Sequence, residues 1–236
     1  MKLTAILGAG LAAFALAGPA HAVLPTASFN LNTGTDAEGN VLASGALDPF
    51  WTISTNGTSF AAARVAYPGS FPGPDSGQTC CGMETVDNTA AWVTTPDVIA
   101  TSPNTTWGVG NTVFLKRTFD LSGFDVDTVS LSASFRVADT ARGVFINGIA
   151  VPGTNTGSFA FSADVDFSVA AGTGFFVDGI NTIEMRGTSV NSQWDAFWFS
   201  TTVTGQTAPI PEPETWAMLA AGLGLVGVMR ARTRRA

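Results

Sequence analysis

The groups in this chain that could do chemistry are aromatic rings and acids. Trp92 and Trp107 sit among Thr, Asn and Pro residues, with Asp87 and Asn88 just before the first ring and Asn104 and Asn111 flanking the second. A sugar offers apolar C–H faces to a ring and hydroxyls to acids and amides. Trp92, Trp107, Asp87 and Asn88 therefore form a candidate glycan platform. The alternative for each ring is a core position, because large aromatic side chains dominate cores. Trp51 and Trp198 read as core: Trp198 lies in an alternating segment with Asp195, Phe197 and Phe199.

The acids allow two further chemistries. Thr35-Asp36-Ala37-Glu38-Gly39-Asn40 is a short acidic loop with a glycine turn. Calcium takes six to eight oxygen ligands, so Asp36 is a candidate calcium ligand. Asp125 with Asp127 and Asp164 with Asp166 are other close acid pairs; solvated turn acids explain each cluster equally well. A glycosidase needs two carboxylates across a sugar. Glu84, Asp139, Glu184 and Asp195 are available, with no spacing that pairs them, and Glu184 is expected to face solvent. The single histidine is His21, in a segment expected to leave on export, so the body has no imidazole for a triad or a zinc site. No phosphate-binding or dinucleotide fingerprint is present. No catalytic residue is assigned, and no cofactor is expected other than that candidate calcium.

Cys80 and Cys81 are adjacent, in Gly77-Gln-Thr-Cys-Cys-Gly-Met83. Export favours oxidation. A bond between neighbours is a vicinal disulfide, which closes almost no loop; two free thiols or bonds to another chain are the alternatives. The Pro/Gly-rich stretch Tyr67–Asp75 precedes them, and residues 67–84 read as a long surface loop. Such a loop is either a contact surface or a tolerated insertion.

Both ends of the chain read as addresses. Lys2, the apolar run Leu3–Gly18 and Ala20-His21-Ala22 form a signal peptide (1–22), with small residues at Ala20 and Ala22 for cleavage by signal peptidase after Ala22. The other end is Pro211-Glu212-Pro213-Glu214, an apolar run over 215–229 and a basic end over 230–236 with four arginines. Fifteen helical residues span about 22 Å, short of the roughly 30 Å bilayer core, so the run is a marginal transmembrane helix. The arginines hold their end in the cytoplasm. A permanent anchor is the competing reading.

The order of hinge, apolar helix and basic end resembles a PEP-CTERM sorting tail, the substrate of an exosortase. The resemblance implies an inner-membrane intermediate in a Gram-negative envelope, then release to the cell surface or extracellular matrix. It makes Pro211, Glu212 and Pro213 the sorting motif and 209–236 the sorting tail.

Between the signals, residues 23–208 form the body. Its sixteen acids face one lysine and five arginines, an excess that repels nucleic acid. Gly, Thr, Ser, Asn, Phe and Val predominate, and no long stretch has a helical period, so strands and turns are expected. Leu131–Val137 alternates, and Val113–Phe119, Phe159–Val169, Thr182–Arg186 and Asp195–Val203 read as strands. Val144–Ile146 and Ile149–Val151 flank Asn147-Gly148, which closes a two-residue hairpin. Six or more short strands point to an all-β, antiparallel sandwich.

Within it, the run Lys116–Asp125 ending in Phe-Asp-Leu-Ser-Gly-Phe-Asp, the Phe145–Val151 hairpin, and Gly179-Ile-Asn181-Thr-Ile183-Glu184 resemble a galactose-binding-like jelly roll. Asp48-Pro-Phe-Trp51 and the spacing from Trp92 to Trp107-Gly108 are similar to PEP-CTERM proteins with such a domain. The resemblance is clearer over 112–204. It implies a jelly-roll β-sandwich, a non-catalytic association with exopolysaccharide, and a structural calcium. A structural or adhesive envelope protein and a carboxylate glycosidase are the alternatives.

Overall fold

A computed structural model describes residues 24–66, 89–98, 107–157, 159–190, 195–208, 218–224 and 230. Among them are ten strands: β1 (Thr26–Phe29), β2 (Leu47–Ser54), β3 (Ala61–Val65), β4 (Val93–Thr94), β5 (Thr112–Asp120), β6 (Ser130–Ile146), β7 (Ile149–Ala150), β8 (Phe159–Val169), β9 (Ile180–Thr188) and β10 (Ala196–Gln206). Every pairing between them is antiparallel. The all-β antiparallel expectation holds.

Strand β6 organises the molecule. Its first half pairs with β8 on one edge and β10 on the other, with Leu131 opposite both Val169 and Val203. Its second half pairs with β9 and β7. The change of partner falls at Ala138–Thr140, just before a register shift between Ala141 and Gly143, a bulge that bends the strand. Gly143 there has φ +113°, which a side chain rarely adopts. One curled layer is β8–β6–β10, with β1 and β4 on the far edge of β10. The other runs β3–β2–β5–β9–β6–β7. Strand β4 also joins β3 to β10, so the two layers meet on both sides.

The core lies between the layers and follows the alternation of the strands. Val113, Leu115 and Phe119 of β5, Ile183 and Met185 of β9, and Phe197, Phe199 and Val203 of β10 point inward. Trp51 meets Phe199 edge-on at 5.6 Å, and its Nε1–H donates to the carbonyls of Leu31 and Asn32. Trp198 is equally buried and donates to the Ala90 carbonyl. Both rings are core residues, as read from the sequence.

The Asn147-Gly148 turn forms as expected, with φ +50° and +80° and Phe145 opposite Ala150. Strand β6 differs from expectation. Leu131–Val137 and Val144–Ile146 read as separate segments, yet they are parts of one strand of 17 residues. Strands β1 to β4 were not assigned from sequence.

The predicted signal helix lies outside the described residues. Residues 218–224 are helical and exposed, within the predicted apolar helix 215–229. No helix among the described residues is long and apolar enough to cross a membrane.

Candidate functional site

The two candidate platform rings lie on opposite sides of one strand pair. Val93 of β4 faces Phe197 of β10, and both side chains are fully buried. Trp107 stacks on Phe197 with ring centroids 4.8 Å apart and has no exposed surface. Its Nε1–H has no hydrogen-bond partner among the described residues. Trp92, one residue before Val93, turns the other way and packs, half-buried, on Ala138 and Ala196. Trp107 therefore cannot stack on a sugar, and the expected Trp92–Trp107 platform is not formed. Polar neighbours in the sequence suggested a loop, but Phe197, brought from elsewhere in the fold, stacks on the ring in the core. Asp87, Asn88, the 67–84 loop and Cys80 and Cys81 lie outside the described residues, as do Glu84, Ala20, Ala22 and Pro211–Pro213.

Asp36 spends its carboxylate on its own loop. The backbone N–H groups of Glu38 and Asn40 donate to Oδ1 at 3.0 and 2.8 Å, and the Asn40 side-chain amide donates to both oxygens. These bonds, led by the Asn40 side chain, hold its pKa below the usual carboxylate value. Among the described residues, no three Asp, Glu, His or Cys side chains converge on one point. Asp164 pairs with Arg136 at 2.6 Å, and Asp166 accepts from the Ser134 hydroxyl at 2.5 Å. Asp125 caps the 3-10 turn Val126–Thr128 by accepting from the Asp127 N–H.

The surface with spare binding capacity is the outer face of β5, β9 and β6. In the register, Phe114 lies opposite Arg186 and Lys116 opposite Glu184, which in turn faces Phe145. Alternation sends these side chains outward, away from Leu115 and Met185. Arg186 lies over the Phe145 ring, 3.7 Å from its centroid, and within 5.4 Å of the Phe114 ring. Lys116 sits 4.4 Å over Phe60. Glu184 is clamped between the two cations. Arg186 donates from Nε and Nη2 to Oε1, each at 2.7 Å, and Lys116 Nζ is 3.5 Å from Oε2. Glu184 is thus mostly covered, contrary to the solvent-facing expectation.

Arg142, exposed at the β6 bulge, donates through Nε to the Thr188 hydroxyl at 2.8 Å, on the same face. Half of the six cations of an acidic body therefore gather on one sheet face. Two acids on these strands are engaged: Glu184 by its two cations, and Asp120 at the end of β5 by the Ser122 N–H at 2.8 Å. A guanidinium has five donors. With two spent on Glu184, Arg186 keeps others for a ligand, and its stacking on Phe145 fixes the plane in which they point. Sequence reading missed this group because β5 and β9 are distant in the chain. The signal was present in the alternating Phe114/Lys116 and Glu184/Arg186 pairs.

A second charged group is structural. Asp48 is 1% exposed. It accepts from the N–H groups of Gly34 (2.6 Å), Phe50 and Trp51 (both 2.9 Å). Burial raises its pKa against those donors and against Arg117. Burial also pushes Arg117 down to about 10, and its guanidinium lies 4.4 Å from the Phe50 ring centroid. Of the other acids considered for catalysis, Asp195 is fully buried ahead of β10.

Residues 209–235 match the PEP-CTERM protein-sorting motif. No curated protein matches the chain significantly. The motif agrees with the sequence reading of the tail: the chain is an exported protein processed by an exosortase, with a strand-rich sandwich as its body.

Proposed function

We propose that the sorted body is a non-catalytic cell-surface or matrix protein that associates with anionic exopolysaccharide through the outer face of β5, β9 and β6. One observation carries the reading: Lys116, Arg142 and Arg186, three of six cations in an acid-rich body, lie on one face among Phe60, Phe114 and Phe145. Fixed guanidinium donors suit carboxylates, and the ring edges left beside them suit apolar sugar faces. The association is multivalent and weakens as salt screens it. Signal peptidase removes 1–22 on this reading.

Retention on immobilised alginate, a polyuronate, at low and high salt tests the proposal, with neutral dextran as the control. Wild type is expected to be retained on alginate at low salt and released by salt. The Arg142→Ala/Arg186→Ala protein should lose at least about tenfold in affinity, near 1.4 kcal/mol. Trp107→Phe, which keeps an aromatic ring in the core, should bind as wild type does. Equal retention of the double variant, or retention on dextran, would refute the charge-based site.

A second reading, adhesion to other proteins, has its own observation. Ile149, Val177 and Ile180 are exposed near the contact between Asn147 and Asn181. Ile149→Asp would weaken protein contacts and leave alginate retention unchanged.

A further inference from the structure

The residues just before the sorting motif are stitched into the fold. Strand β10 ends at Gln206, whose carbonyl accepts from the Asp125 N–H at 2.9 Å. Thr207 donates its N–H to the Pro25 carbonyl at 3.0 Å, and its hydroxyl reaches the same oxygen at 3.2 Å. Ala208 donates its N–H to the Gly123 carbonyl at 2.8 Å. Phe124 forms a bridge with Thr207, and its ring lies 6.0 Å from Phe29 of β1. The start of the body is held at the same place, because Thr26 of β1 pairs with Gln206. One pole of the sandwich, built from Pro25, the Ser122–Asp125 turn and Thr207–Ala208, thus holds both ends of the described body.

The tethers beyond that pole are short. Pro211 is three residues on from Ala208, a reach of at most about 10 Å when extended. Thr215, where the apolar run begins, is seven residues on from Ala208, a reach of at most about 25 Å. A body roughly 30 Å long, taking β5 with its flanking turns, cannot turn its far pole to the membrane on such a lead.

We infer that this pole is the surface the folded body presents to the exosortase during processing, and that tether length imposes the orientation. The inference rests on the sorting motif and is independent of the polysaccharide reading. The partner is a membrane enzyme whose extracytoplasmic face meets a small polar turn, with Ser122 and Gly123 exposed at its tip. The opposite pole, at the β2–β3 turn around Asn56 and Ser59, faces away; Ser54 before it pairs with Phe114 near the start of β5.

The test is photo-crosslinking in the full-length chain, in cells carrying an epitope-tagged exosortase. A benzophenone amino acid replaces Ser122 in one protein and Ser59, also exposed, in another. The expected result is a tagged-exosortase adduct at position 122 and none at 59. A ten-residue Gly/Ser insert between Ala208 and Pro209 adds about 17 Å of flexible reach. It should reduce the adduct at 122 at least fivefold while the tail is still removed. Equal adducts at both positions, or none at 122 in a chain that is still cleaved, would overturn the pole as the presented surface and leave sorting intact. An adduct that survives the insert would overturn the role of tether length.

Discussion

Asp48 ties its own strand to the Gly34 turn through the N–H groups of Gly34, Phe50 and Trp51, and the charge of Arg117 acts on it. Asp48→Ala strands those donors and leaves a partly buried guanidinium without its counter-charge. A loss of about 3–5 kcal/mol is expected, read from urea unfolding. The pH dependence has a definite sign. A carboxyl whose pKa is raised by folding holds its proton more tightly in the folded state. Its stabilising contribution is complete below the unfolded value near 4 and declines as pH rises through the folded value. Relative to Asp48→Asn, wild type should therefore lose stability as pH rises from about 4; a rise in stability there would contradict the assignment. Asp36 and Asp120 have lowered values and act in the opposite sense, losing their contribution as pH falls below about 4. Trp107 marks the limit of residue-level legibility. Its surroundings in sequence are polar, and only Phe197, from a distant strand, reveals it as core. The Lys116–Glu184–Arg186 group was hidden for the same reason: alternation assigned a face to each residue, but not which strands lie side by side.

Strands show the reverse balance. Strands β5, β8, β9 and β10 and the β6–β7 hairpin were legible because apolar/polar alternation and Asn-Gly turn chemistry are local. Strands β1 to β4 were not. Two of them have four residues or fewer, and β2 carries Pro49 and a register irregularity between Leu47 and Thr52. Their pairing is decided by burial against β5 and β10. Close approach of the two layers supplies a prediction at this scale. A Cβ on Gly187 of β9 would lie 2.7 Å from Val137 Cγ1 and 3.0 Å from the Phe197 ring. Gly187→Ala should cost about 1–3 kcal/mol in the same unfolding measurement, because the core has no room to yield. An unchanged midpoint would show that the layers can part there.

At the scale of the molecule, the matched sorting motif supports export and exosortase processing, and on the proposed reading the sandwich supplies the binding surface. The tail was the most legible part of the chain because its signal is an order of residue types: a Pro-Glu-Pro motif, an apolar run and a basic stop. Deleting Arg230–Ala236 removes the charges that hold the apolar run in place. Fractionation of cells making the truncated protein should show misrouting, and normal surface display would refute the retention role. Intact-mass and terminal-peptide spectrometry of protein recovered from the cell surface tests the central claim most directly. The expected species begins at Val23 and has lost the basic end, Arg230–Ala236. Recovery of a single intact polypeptide from Met1 to Ala236 would contradict export and sorting together.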